Sequence, residues 1–225
     1  MRTARGRKNV IKINIMNKFI DAASSIMDAE GVENVTIRKV ASIAGYNSST
    51  LYNYFEDLDH LILFSCIRYL KDYTGALMDY VRKASNSLER YMMIWECFCK
   101  YSFDNPKIYN LLFFSEHSSS LNNIISEYYN IFSEELEDSS LQIKSMLTGN
   151  DIYSRTLYQF EGCVEEGYFR ESDINEINEI TILLYQSVLT NLLKKNPPYT
   201  KEEALEKTMH FFEKIVGAYR LTDKK

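Results

Sequence analysis

Helical spacing of apolar residues recurs from one end of this chain to the other, and little interrupts it. Three prolines and eight glycines are spread over 225 residues, which permits long helices. No run alternates apolar and polar residues long enough to predict a strand. Ile15, Phe19, Ala22 and Ile26 form one helical stripe, and Gly31 is expected to stop that helix. Thr36 stands where an N-cap belongs, ahead of IRKVASIA, which Gly45 ends. Asn47 or Ser48 opens a third helix running through Tyr54, and Asp57 opens a fourth reaching about Lys83.

Asn86 or Ser87 starts the next helix, toward Phe103, and Pro106 suits the first turn of IYNLLFFSEH. The serines at 118–120 break that helix, and a long one is expected over about 121–147. TGN at 148–150 is a turn, with Asn150 capping a helix over about 151–167. Ser172 is expected to cap an apolar helix to about Lys195, and NPPYT is a break. Thr200 and Glu203 form a capping box for the last helix. The reading is an all-α chain of about ten helices, the first three short. It divides into domains at 1–56 and 57–225.

A hydrophobic content of 45% allows a sizeable core and argues against global disorder. No apolar run is long enough to predict a membrane helix, and the basic N-terminus lacks the apolar segment of a signal peptide. Cys66, Cys97, Cys99 and Cys163 show no disulfide framework, and read as thiols in a reducing cytoplasm. The location expected is therefore cytoplasmic.

Net charge is −5, which alone argues against a nucleic-acid partner. Its distribution argues the other way. Residues 1–18 carry Arg2, Arg5, Arg7, Lys8, Lys12 and Lys18 with no acid. A basic arm on an acidic chain suits an anchor for phosphate, although it also suits an ordinary flexible N-terminus.

A helix, a Gly-containing turn and a second short helix, supported by a third, make a helix-turn-helix unit. Its second helix enters the major groove of double-stranded DNA. That use explains why Asn47, Ser48, Ser49 and Thr50 are short and polar. Such side chains let the helix start approach DNA closely, and its N-terminal end favours phosphate. Tyr52 and Tyr54 offer phenol groups to backbone oxygens. Leu51 and Phe55, spaced i, i+4, face a small core with Ile37, Val40, Ala41 and Ile26.

Residues of about 15–62 resemble the DNA-binding domain of TetR-family transcriptional regulators. The segments that carry the resemblance are FIDAASSIMDAEGVENVTIRKVASIAG and YNSSTLYNYFEDLDHLI. The family pattern is a helix ended by Gly, T-x-x-x-I/V-A, then T/S-L-Y-x-Y/H-F and an acidic start to helix four. The resemblance implies that Thr36 meets a backbone phosphate, and that Arg38 reaches phosphate or a base edge. It implies that Ser48, Ser49 and Thr50 face the major groove, with Tyr52, Asn53 and Tyr54 on phosphate or neighbouring bases. One departure stands out: many members carry Lys at the start of helix four, where this chain has Leu58.

The fold implied is an N-terminal three-helix DNA-binding domain followed by a larger helical domain for ligand binding and dimerisation. EEGYFRESD at 165–173 is similar to the link between the family's dimer-forming helices. Tyr153, Leu157, Phe160, Val164 and Tyr168 make one stripe; Ile177, Thr181, Leu184, Val188 and Leu192 make another. Helices of about 151–167 and 173–195 could pair as a four-helix homodimer interface, or both stripes could face the protomer's own core. A dimer predicts a roughly palindromic operator.

The larger domain is rich in aromatic residues. Trp95, Phe98, Tyr101, Phe113, Phe114, Tyr158 and Tyr185 are candidate walls of a pocket for a small hydrophobic or aromatic effector. His117, Glu161 and Gln186 are candidate polar groups. The alternative is a packed core, in a regulator that answers to a protein partner or has no small-molecule effector. A cavity of about 300 Å³ or more favours the pocket. The expected logic is repression relieved by effector, for which coupling of about 1–3 kcal/mol suffices. An enzyme is not expected: the sequence has no phosphate-binding Gly loop, no H-E-x-x-H and no G-x-S-x-G. His60, His117 and His210 lack metal-ligand spacing, and no cofactor is called for.

Overall fold

The computed structural model describes residues 4–114, 121–136, 141–149 and 151–221; the side chains of residues 4–9, 121–123, 135–136 and 141–143 are left aside. The expected His117, Asn150 and serines 118–120 lie outside the described residues. So do Arg2 and the side chains of Arg5, Arg7 and Lys8. Among the described residues there are twelve α-helices and no strand.

Helix α1 (Ala4–Glu30) is 27 residues long. The first helix is therefore not short, and the described part of the basic arm forms its opening turns. Met16, Phe19, Ala22, Ala23, Ile26 and Met27 bury one face of it. Gly31 ends it at φ 93° and ψ 157°, a region essentially reserved for glycine. Helices α2 (Ile37–Ala44) and α3 (Ser48–Leu51) follow, then α4 (Leu58–Val81).

α4 packs on α1 at its start and runs into the larger domain, where it lies against α5 (Ser87–Asp104), α6 (Pro106–Phe114) and α7 (Leu121–Ile131). α5 is the central helix. Tyr91, Ile94, Trp95, Cys97, Phe98, Cys99, Ser102 and Phe103 are all buried on it. α11 (Ile174–Leu192) and α12 (Lys201–Tyr219) close around α5. The Asn86, Asp57 and Thr200 caps form as expected; Thr200 and Glu203 make the full capping box.

Three expected elements differ. The long helix over about 121–147 is instead α7, a 3-10 turn at Ser133–Leu136, and α8 (Leu141–Leu147). The helix over about 151–167 is instead α9 (Ile152–Leu157), capped by Asp151 in a capping box with Ser154, and α10 (Glu161–Glu165). Ser172 does not cap α11; it lies in the 3-10 turn Glu171–Asp173 and donates its hydroxyl to Asp173. All four cysteines are free and buried.

Candidate nucleic-acid interface

The turn between α2 and α3 is built by three local devices. Thr36 Oγ1 accepts the Lys39 amide at 3.3 Å and starts α2. Gly45 adopts φ 76° and ψ 32°, the left-handed conformation that a side chain disfavours. Tyr46 N–H then returns to the Ala41 carbonyl at 3.0 Å, and Asn47 leads into α3 in extended conformation. Asn47 provides no side-chain cap, so its amide is left outward and exposed.

α3 spans one helical turn, and residues 52–54 continue as turns rather than helix. A single turn sums few peptide dipoles, so side chains rather than the helix end must carry recognition here. The unit is held by Phe19. Its ring meets Tyr46 at 5.4 Å, Tyr54 at 6.3 Å and, edge-on, Phe55 at 6.3 Å. Leu51 and Phe55 are buried, as their spacing predicts.

Thr36, Arg38, Ser48, Ser49, Tyr52 and Asn53 are exposed, and Tyr52 keeps 55% of its surface. Thr50 and Tyr54 are half-buried, so Tyr54 divides its ring between the core and the surface. Lys39 is held by Glu30 at 2.7 Å and by the Asn34 carbonyl at 3.3 Å. Arg38 has no ion pair among the described residues. Ile43, 58% exposed on the same α2–turn–α3 segment, was not anticipated. An apolar side chain there suits a thymine methyl or a sugar; its signal is an isoleucine out of phase with Ile37, Val40 and Ala41.

This unit is tied to the larger domain at several points. Arg68 on α4 pairs with Asp21 and Asn17 on α1. Tyr69 donates to Asp28 at 2.6 Å, and Lys107 on α6 lies 3.5 Å from Glu33. Glu33's own backbone N–H, followed by Lys107, lowers its carboxyl pKa. His60 sits under the joint. Its Nδ1 accepts the Glu56 amide at 3.0 Å, its ring meets Phe55 at 5.8 Å and Phe64 at 4.8 Å, and Nε2 lies 3.5 Å from Glu127 on α7.

The aromatic centre is packed. Trp95 meets Phe212 at 4.9 Å and Tyr185 at 5.6 Å; Phe98 meets Tyr185 at 5.2 Å and Phe113 at 5.7 Å. The cavity among these helices holds about 20 Å³, lined by Tyr73, Ile94, Trp95, Phe98, Met146, Ile152, Arg155, Thr156 and Gln159. That is room for about one water. Tyr101 and Phe114 are half-buried and are not among the residues that line it. Tyr158 and Glu161 face solvent, which corrects their expected place in the pocket.

The groups missed were Arg155 and Gln159. The buried face of α9 and the turn after it is polar: Arg155, Thr156 and Gln159 point inward with Ile152 and Phe160. The apolar stripe from Tyr153 to Tyr168 therefore splits: Phe160 and Tyr168 are buried, Leu157 and Val164 half-buried, and Tyr153 exposed. Thr156 and Asn178 hydrogen-bond to each other, and Asn178 Nδ2 donates to the Tyr153 carbonyl at 3.1 Å, fixing α9 on α11. The second stripe divides between core and surface, with Leu184 and Leu192 half-buried. Ile177, Thr181 and Val188 are buried within the protomer, while Ile180 and Leu183 face out.

Residues 19–63 match the family model described as bacterial regulatory proteins, tetR family. The chain carries a TetR-family DNA-binding domain. No curated protein matches the chain by sequence. The whole fold is similar to a chain from Syntrophomonas wolfei assigned to the TetR-family transcriptional regulators, with TM-score 0.63 and 15% identity, covering 93% of this chain and 98% of that one. It is also similar to the TetR-family transcriptional regulator PfmR from Thermus thermophilus, with TM-score 0.53 and 15% identity over 88% and 97%. RolR in complex with resorcinol matches with TM-score 0.56 and 13% identity over 92% and 93%. The first two of these neighbours are described as TetR-family transcriptional regulators. Among the described residues, no group of three metal-ligating side chains occurs, and no helix is long and apolar enough to cross a membrane.

Proposed function

We propose that this chain is a ligand-responsive transcriptional repressor that binds a palindromic operator as a homodimer and is released by a small effector. The observation that carries the reading is the exposed polar face of α2 and α3, which sits on a buried Phe19–Leu51–Phe55 core inside the TetR-family match. Thr36, Arg38, Ser48, Ser49, Thr50, Tyr52, Asn53 and Tyr54 form the DNA-contacting set. The boundary at 56/57 divides the functions, with α4 as the shared lever.

The dimer surface we assign is the outward face of α9 and α11. Tyr153, Tyr158, Ile180 and Leu183 are large apolar side chains exposed there, Leu183 by 52%. Leu183→Glu should turn a dimer into a monomer in sedimentation velocity.

Binding to a palindromic fragment from the protein's own upstream region, titrated at several salt concentrations, tests the reading. Tight, salt-sensitive binding that weakens in Tyr52→Phe and Thr50→Ala supports it. No preference over a pool of random duplexes sinks it. A second reading has one observation in its favour: a 20 Å³ cavity suits a regulator governed by a protein partner or by no effector. The complex of RolR with resorcinol favours the effector reading, because a chain of this fold holds an aromatic molecule.

A further inference from the structure

The cavity contains a charge that packing alone does not explain. Arg155 is 5% exposed. Its Nη1 has no hydrogen-bond partner among the described residues, and neither has Gln159 Oε1 on the same cavity wall. The guanidinium lies 5.3 Å from the Phe113 ring centroid. No carboxylate among the described residues forms an ion pair with it. Asp151, four residues earlier, is exposed and accepts the Ser154 amide at 2.7 Å as the cap of α9.

Tyr129, Tyr73, Tyr109 and, least, Asp151 favour the charged form of Arg155 electrostatically, but burial raises the Tyr73 and Tyr109 phenols well above their ordinary range. Those two phenols are neutral, and the exposed Asp151 acts on Arg155 without forming an ion pair with it. Burial also lowers the proton affinity of Arg155 itself. A buried cation with no ion-paired anion among the described residues is strongly disfavoured unless something offsets it. The position is tightly built as well: a Cβ at Gly149 would stand 2.7 Å from Arg155 Cγ.

We propose that this cavity is the effector subsite for a small apolar carboxylic acid, with Arg155 pairing the carboxylate and Ile94, Trp95 and Phe98 receiving the apolar body. The proposal rests on the effector reading above. One guanidinium matches one negative charge and forks onto two carboxylate oxygens. The apolar walls reject a phosphate dianion, which would bring a second uncompensated charge. Met146 is the side chain that must yield. It is a flexible thioether, and its sulfur now takes the Gln159 Nε2 donor at 3.6 Å. An acid that displaces it gains that donor together with Arg155.

Trp95 is the single tryptophan, so its fluorescence reports the site. Full-length protein would be titrated with benzoate and octanoate, and separately with benzamide and octanamide, up to millimolar concentrations. Either acid should change Trp95 emission and raise the melting temperature, with its amide at least tenfold weaker. Arg155→Met should remove the preference for the acid. Should that variant fail to fold, the acid-against-amide comparison in the unaltered protein decides alone, with Gln159→Leu weakening the acid as a second check. Equal binding of acid and amide, or no binding of either acid, overturns the proposal. Operator binding measured without any probe separates the failures. Its loss removes the regulator reading, whereas an operator released only by neutral molecules keeps that reading and removes this one.

Discussion

The N-terminal unit and the aromatic centre handle polar groups in opposite ways. In the first, polar side chains are short, exposed and placed by local chemistry around a small ring cluster on Phe19. In the second, Arg155, Gln159 and Thr156 are buried among rings contributed by several helices. A face meant for DNA must stay hydrated until it binds, so it costs the fold little. A buried polar site is held by everything around it. Substitutions should therefore separate: in the centre they move stability first, and on the face they move DNA affinity first.

Phe98→Ala should show the largest effect. Phe98 touches Tyr73, Trp95, Tyr109, Phe113 and Tyr185. Removing its ring should lower unfolding free energy by about 3–5 kcal/mol in urea titration. A loss below about 1 kcal/mol would mean the centre is loose and already open to a ligand.

Gly45→Ala comes next. Nothing lies within 4 Å of a Cβ there, so the strain is purely that of φ 76°. It should destabilise by about 1–2 kcal/mol and weaken operator binding, because the turn aims α3. Thr36→Ala should cost about 1 kcal/mol through loss of the α2 cap, with a further loss on DNA if the hydroxyl also meets phosphate. Ser49→Ala is the sharpest contrast with Phe98→Ala: stability within about 0.5 kcal/mol, and discrimination between operator and random duplex reduced. Ser49→Ala with unchanged discrimination would remove Ser49 from the contact set.

The same contrast explains what could be read from the chain. Thr36, Gly45 and Asp57 act on neighbours within five residues, and the i, i+4 spacing of Leu51 and Phe55 marks one buried side, so their roles are visible in sequence and the structure agrees. Arg155 and Gln159 take their meaning from Phe113, Met146 and Trp95, which arrive from three other helices. Periodicity looks for apolar residues on the buried face, and α9 buries polar ones. Arg155 and Gln159 therefore escape a search for apolar stripes, and Tyr158 and Glu161, expected in the pocket, face solvent. On α11 the spacing left interface and core both open, and Ile177 and Val188 belong to the protomer's own core.

The last expected effect is one of pH, and it too divides the molecule. The first cysteine is Cys66, so residues 1–56 contain no thiol. Burial pushes Cys163 up to about 11 and Cys97 up to about 12. Below the ordinary thiol range, folded and unfolded chains both hold these protons, and the thiols' contribution is fully present. As pH rises through that range the unfolded chain releases its protons while the folded chain keeps them. Stability then falls, until the folded thiols titrate in turn. The urea midpoint should therefore drop between pH 8 and pH 10 more in the unaltered protein than in a Cys97→Ala, Cys163→Ala variant. Native-state alkylation should be slow for the same reason, since the reactive thiolate is scarce. Fast labelling of Cys97 or Cys163 at pH 8 would show that the larger domain opens around α5 or α10 far more often than its packing implies, and the assumed rigidity of the aromatic centre would fail with it.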